Sequence, residues 1–237
     1  MCDLPNVSIL IPTYNRRNFL PLIMTNLNQQ TYPKDKLECV IYDDHISPLF
    51  INKEEVSQVS KMIGISINYI HNTTRHLGIG EKRNKLVKLA KYKICINMDD
   101  DDIYVRQYIE YSVGELQKSK FGIVGSNEMI FCYPHYDFKM TGIQCESKRQ
   151  IHEATMCFTK KHFNSMGGFV KGGNGEGTSM IDYNEKNCGK TNVANCMICL
   201  CHSNNTCSKE MFKDKDLEGE CKITDELKQL LKECNIK

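Results

Sequence analysis

Short apolar runs and segments of helical period take turns along the first 116 residues, and few folds accommodate that order. Val7-Ser8-Ile9-Leu10-Ile11 is an apolar run stopped by Pro12 and reads as a buried strand. Leu20, Ile23, Met24 and Leu27 then recur at i, i+3, i+4 and i+7, one apolar helix face, with Asn18 placed to cap it. Residues 39–42 form a second apolar run that ends in Asp43-Asp44, and residues 54–63 read as a helix. Residues 65–69 alternate as a third strand, and residues 79–90 carry Leu86, Leu89 and Ala90 at helical spacing. Residues 94–96 make a fourth strand that runs into Asp99-Asp100-Asp101-Asp102, and residues 105–116 return to a helical pattern. A strand–helix repeat of this kind predicts an α/β fold: a mainly parallel, Rossmann-like central sheet with helices on both faces. Ligands of such sheets bind outside the carboxyl ends of the strands. Three strands here end in chemistry-bearing groups: Pro12-Thr13-Tyr14-Asn15, Asp43-Asp44, and the Asp99 to Asp102 run.

The second half is less regular. Residues 121–126, 128–133 and 155–158 read as strands, and residues 193–201 as a last core strand. Residues 166–177 hold too many glycines for helix or strand and are expected to form a mobile loop. Thr224 caps a terminal helix with Leu227, Leu230, Leu231 and Cys234 on one face and Asp225 and Glu226 in its first turn.

With 237 residues, 41% of them hydrophobic and 25% charged, the chain can bury a core without disulfide or metal staples. Its net charge of +2 excludes the strong basic excess of a dedicated nucleic-acid or anionic-membrane binder. No apolar stretch is long enough for a bilayer span, and Met1-Cys2-Asp3-Leu4-Pro5 has no signal-peptide pattern. The 13 cysteines, an odd count without a secretion signal, predict reduced thiols in a cytoplasmic setting rather than a disulfide framework.

The run Asp99 to Asp102 is the sharpest chemical feature. On a continuing strand Asp99 and Asp101 would point one way and Asp100 and Asp102 the other, each pair about 7 Å apart. Two such carboxylates can converge on one hard cation, and a divalent ion would relieve their mutual repulsion. The competing reading is a solvated acidic turn capping the next helix; the run closes an apolar strand, which favours the metal. All-oxygen ligands point to Mn2+ or Mg2+.

Taken in order, several segments resemble a family 2 glycosyltransferase with the nucleotide-diphospho-sugar transferase (GT-A) fold. Val7 to Arg16, VSILIPTYNR, is similar to that family's opening strand and loop, and Asp43-Asp44 after ECVIY to its second-strand acidic pair. GIGEKRN from Gly78 to Asn84 resembles the helix leading to the DxD strand, and NMDDDDIY from Asn97 to Tyr104 the DxD motif itself. MGGF at Met166 to Phe169 with Gly175-Glu176 resembles the region of the catalytic base, and CHSNNT at Cys201 to Thr206 the late histidine motif. The short length and the Lys-, Asn- and Ile-rich composition resemble compact members carried by large DNA viruses.

The resemblance implies one domain over residues 1–237, with residues 1–104 binding the nucleotide-sugar and residues 105–237 shaping the acceptor site. Pro12 and Tyr14 would line the nucleotide pocket, Tyr14 packing on the base and Asp44 accepting a hydrogen bond from it, typically from uracil. Arg83 would approach the nucleotide or diphosphate, and Asp99 and Asp100 would lie against ribose and metal. Asp101 would be the main metal ligand, assisted by Asp99, with His202 meeting the diphosphate or the metal. The implied reaction is a metal-dependent, inverting transfer from a UDP-sugar to an acceptor hydroxyl.

The family's usual base motif is Glu-Asp, with the Asp as base; this chain has Glu176-Gly177. Glu176 is the expected replacement and Asp182 the second candidate, with the glycine-rich segment closing to bring Glu176 to the acceptor. Glu153 is a candidate acceptor contact or a solvated acid. Two rival readings follow: a non-catalytic sugar-nucleotide-binding module, supported by the missing Asp, and a zinc-stabilised interaction protein. The latter rests on Cys196-x-x-Cys199 with Cys201 and either Cys207 or Cys221, against which stands simple core packing of the cysteines.

Overall fold

The computed structural model of the chain describes residues 4–147, 150–171, 175–181, 188–205, 208–217 and 222–236. In chain order the elements are β1 (Val7–Thr13), α1 (Leu20–Asn28), β2 (Leu37–Asp43), α2 (Lys53–Ile63), β3 (Ser66–His71), α3 (Ile79–Leu89) and β4 (Ile94–Asn97). They continue with β5 (Ile103–Tyr104), α4 (Tyr108–Lys118), β6 (Ile123–Gly125), β7 (Glu128–Tyr133), β8 (Lys139–Gln144), β9 (Cys157–Thr159) and α5 (Lys160–Met166). The last are β10 (Cys188–Lys190), β11 (Met197–Leu200) and α6 (Asp225–Glu233).

The strand–helix repeat builds a seven-stranded sheet in the order β10-β6-β9-β4-β1-β2-β3. Its pairings are parallel except the two made by β9, which runs antiparallel between β4 and β6. Both faces are covered, as the continuous apolar runs require. Val7, Ile9 and Ile11 of β1 and Cys39 and Ile41 of β2 pack with Leu20, Ile23 and Leu27 of α1, Val59 and Ile63 of α2 and Val113 of α4. The alternate residues Leu10, Val40 and Tyr42 pack on the opposite face with Leu86 and Val87 of α3 and Phe163 of α5. A four-stranded sheet, β5-β11-β7-β8, stands beside the first. Ile198 and Leu200 of β11 pack with Phe19, with Leu22 of α1 and with Leu231 of α6, whose Thr224 side chain caps Leu227 N as expected.

Several sequence expectations shift, each for a traceable reason. β1 continues through Pro12 to Thr13, pairing with β2 up to Asp43, while its pairing with β4 has already ended at Leu10–Asn97. No strand on that side needs the N–H that proline lacks. Asn18 does not cap α1; its amide donates to the carbonyl of Cys234 at 3.2 Å, and a short 3-10 turn over Arg17–Phe19 leads into the helix. The helix expected from residue 105 starts at Tyr108, because Val105 N is held by the carbonyl of Cys196 at 3.1 Å. Residues 193–201 split into a 3-10 turn, Val193–Asn195, and β11. Of the glycine-rich segment, residues 172–174 lie outside the described residues, and Glu176–Met180 forms a 3-10 helix rather than a loop.

Candidate functional site

β1 and β4 end side by side, and their carboxyl ends open into a cleft of about 990 Å³. Leaving β1, Asn15 takes a left-handed backbone (φ 56°), a conformation asparagine tolerates, and Arg16 follows it onto the cleft wall. Leaving β4, the chain turns instead of continuing as a strand. The four aspartates therefore do not alternate. Asp100 and Asp101 both face Arg16: its Nη2 donates to Asp101 Oδ2 at 2.9 Å, and its Nε lies 3.9 Å from Asp100 Oδ1. Asp99 turns to Arg83, 2.9 Å from Nη2. Asp102 points into the body, where its Oδ1 accepts from Leu200 N at 2.9 Å and ties the acidic turn to β11. Asn26 of α1 secures the same turn, donating to the Asp102 carbonyl at 2.8 Å.

His202, at the end of β11, brings its Nε2 to 3.2 Å from Asp101 Oδ2. Burial disfavours charge on Asp101, but the His202 contact and the Arg16 guanidinium outweigh it and hold the carboxyl below the usual range. Burial, reinforced by Asp101, pushes Asp100 up to about 8. Oδ2 of Asp100 is buried without a well-formed hydrogen bond. Asp99 and Asp101 line one part of the cleft and His202 contacts Asp101, while among the described residues no three metal-ligating side chains converge as a closed set.

In the cleft wall Tyr14 is 44% exposed and flanked by the rings of His76 (4.3 Å) and His45 (4.7 Å). Lys82 lies 5.0 Å from the Tyr14 ring centre, donates to the Thr13 carbonyl at 2.9 Å, and pairs with Asp44 Oδ1 at 2.5 Å. Pro12 lines the cleft. Asp44 does not reach it: its side chain is fully buried, accepting from Leu77 N at 2.6 Å and holding Lys82.

Arg83, 3% exposed, bridges Asp99 and Glu176, whose Oε1 is 3.0 Å from Arg83 Nε. Glu176 therefore stands docked in the cleft, with no closure needed to bring it there. Glu153, from the 3-10 turn Glu153–Thr155, accepts from Gly177 N at 3.1 Å and lines the same cleft. Asp182 lies outside the described residues.

Arg16, Lys82, His76 and His152 are cleft residues to which the sequence reading gave no role. Arg16 had a readable signal, a cation directly after the first strand's PTYN. The other three depend on contacts that only the fold creates. Cys196, Cys199 and Cys201 are packed in the core, where burial pushes the thiols of Cys196 and Cys201 up to about 12, and among the described residues no three metal-ligating side chains are grouped. Cys207 and Cys221 lie outside the described residues, and among those described no disulfide forms.

Comparison with known proteins bears on this cleft. A mannosyltransferase from Pyrobaculum calidifontis, solved in complex with GDP-Man and Mn2+, superposes with a TM-score of 0.61 at 17% identity, over 86% of this chain and 59% of its own. Staphylococcus aureus TarS (residues 1–349) in complex with UDP-GlcNAc gives 0.63 at 14% identity, over 84% of this chain and 60% of its own. These likenesses establish the GT-A fold. An uncharacterized glycosyltransferase of Haemophilus influenzae is 31% identical over 104 residues, 44% of this chain and 32% of its own length. Glycosyltransferase AglE of Haloferax volcanii is 23% identical over 170 residues, 67% of this chain and 53% of its own. The chain thus spans about a third to a half of these two curated relatives. No helix among the described residues is long and apolar enough to cross a membrane. The model of the family described as Glycosyl transferase family 2 matches residues 8–173, well over half of the sequence, and the chain belongs to that family.

Proposed function

We propose that this chain is a metal-dependent, inverting glycosyltransferase that moves a sugar from a nucleoside-diphosphate donor, favouring UDP, to an acceptor hydroxyl. One observation carries the reading: a single cleft is lined by the Tyr14 ring, by the Asp99 to Asp101 carboxylates with Arg16 and Arg83, and by the carboxylates of Glu153 and Glu176. Those are the groups needed to hold a base, a metal and diphosphate, and an acceptor hydroxyl. The Tyr14 ring, exposed and backed by Lys82, offers a stacking surface for a base. Arg83 keeps its Nη1 buried without a partner, a donor suited to an anionic ligand. The TarS structure holding UDP-GlcNAc and the mannosyltransferase holding GDP-Man and Mn2+ support donor and cofactor class.

The donor set fits Mn2+ or Mg2+. Such ions are held by one or two protein carboxylates and completed by substrate phosphates, so an incomplete protein set is the expected one. Asp101 would hold the ion, with Asp99 and His202 beside it, and when bound it offsets charge developing on the leaving diphosphate. Arg16 neutralises Asp100 and Asp101 meanwhile. Fixing base and diphosphate orients the anomeric carbon toward the Glu153 and Glu176 carboxylates. There the acceptor proton passes to a carboxylate of the Glu153–Glu176 pair.

Thermal unfolding with UDP, UDP-GlcNAc and GDP-Man, with and without Mn2+, tests the reading. A ligand at a hundred times its Kd adds about 2.7 kcal/mol, which for a chain of this size raises Tm by roughly 5–10 °C. Asp101→Ala should lose the metal-dependent part of that shift. A wild-type protein that no nucleotide stabilises overturns the proposal.

A further inference from the structure

Position 177 is where the base of the Glu-Asp pattern would stand, and here it is glycine. The space beside it is not empty. A Cβ built on Gly177 would lie 2.7 Å from Glu153 Cγ, 3.1 Å from Glu153 Oε1 and 2.6 Å from Met156 Cε. The Glu153 carboxylate is anchored at that point by Gly177 N, 3.1 Å from Oε1. The side chain that residue 177 lacks is therefore replaced, in the same volume, by one arriving from a different element 24 residues earlier.

Resting on the transferase reading above, we propose that Glu153 is the catalytic base and that Glu176 is a positioning residue. Glu176 is bound to Arg83, an always-charged guanidinium that occupies its carboxylate at 3.0 Å. Among the described residues Glu153 makes no ion pair, and its carboxylate opens on the cleft. Burial, and then the neighbouring Glu176, hold its carboxyl above the usual range, which strengthens it as a base. In the step, the acceptor O–H proton goes to a Glu153 oxygen as the acceptor oxygen bonds to the anomeric carbon. The bond from that carbon to the diphosphate breaks, and the nucleoside diphosphate leaves with the electron pair. Water as acceptor gives hydrolysis by the same sequence.

The test measures nucleotide release from UDP-GlcNAc and GDP-Man with Mn2+, water serving as acceptor, beside the Mn2+-dependent Tm shift. Glu153→Gln should lower release by about 10²–10⁴-fold and keep the Tm shift. Glu153→Ala/Gly177→Asp, which returns a carboxylate to the vacated volume, should recover at least about tenfold over Glu153→Ala, within the range a positioned base supplies. Gly177→Asp alone should lower Tm more than it does in the Glu153→Ala background, because the two side chains compete for one space. Glu153→Gln with wild-type release, a folded double variant with no recovery, or equal Tm losses in both backgrounds would overturn the assignment while leaving the transferase reading intact. A wild-type protein that releases no nucleotide and gains no stability from either donor instead overturns the transferase reading itself.

Discussion

Replacing Arg83 by methionine isolates the electrostatic core of the cleft. The guanidinium is 3% exposed and lies within 3.0 Å of two carboxylates, Asp99 and Glu176, whose side chains are 22% and 7% exposed. Methionine keeps much of the volume and the apolar stem but removes the charge, leaving two buried acids facing each other. Breaking a buried pair by removing one partner costs about 3–5 kcal/mol. Since part of Asp99 opens to water, the lower end applies, about 3 kcal/mol at pH 7.5. The pH dependence has a definite sign. Without Arg83, burial and mutual repulsion raise the folded-state pKa of both acids above their unfolded values. For such groups stability is complete below the unfolded pKa and is lost as pH rises through the folded pKa. The variant should therefore approach wild type on acidification, closing most of the gap by about pH 4.5, near the ordinary carboxylate range. Urea unfolding of both proteins at pH 7.5, 6 and 4.5 measures this. A difference below about 1 kcal/mol, the worth of an exposed ion pair, would refute the reasoning. So would a deficit that widens toward acid.

Two further outcomes follow from other parts of the cleft. Tyr14→Ala should leave folding intact, because the ring is 44% exposed, and should weaken Mn2+-dependent UDP binding by about 5–150-fold, the worth of one stacked base. Calorimetric titration checks this, and unchanged affinity would remove the base from that part of the cleft. Burial first, then the positive charges of Lys209 and Arg83, depress His152 to about 3. The unfolded chain takes up its proton near pH 6.5 and the folded one does not, so stability falls as pH drops from 6.5 toward 3. His152→Asn retains an acceptor for Ala154 N and should flatten that fall by about 1 kcal/mol per pH unit between pH 6 and 4; an unchanged acid limb would refute it.

The parallel half of the fold is legible because each of its elements carries its own period. Val7, Ile9 and Ile11 against Leu10, or Cys39 and Ile41 against Val40 and Tyr42, declare a strand buried on both faces without reference to any partner. The boundaries that moved are those set by partners. Pro12 stays in β1 only because β4 has already departed, and Val105 stays out of α4 only because Cys196 holds it. The acidic run shows the same division at the site. Its composition raises the expectation of a cation site on a continuing strand, but which aspartate faces what depends on Leu200 N capturing Asp102 and on Arg16 drawing Asp100 and Asp101 to one side. A local alternation rule has no access to either contact.

Gly177 carries this logic furthest. Its departure from the family pattern is visible in the sequence as a loss, and read alone it favours an inactive binding module. The volume beside it turns the loss into an exchange, because Glu153 occupies the space a side chain at 177 would need. Neither residue signals the other locally: Glu153 sits in a short polar turn, and Gly177 begins as one more glycine in a glycine-rich stretch. A side chain at position 177 would overlap Glu153 and Met156 where they stand here, so an aspartate at 177 and Glu153 could not both keep these positions in this chain. On the proposed assignment of Glu153, the missing aspartate does not by itself argue for lost catalysis.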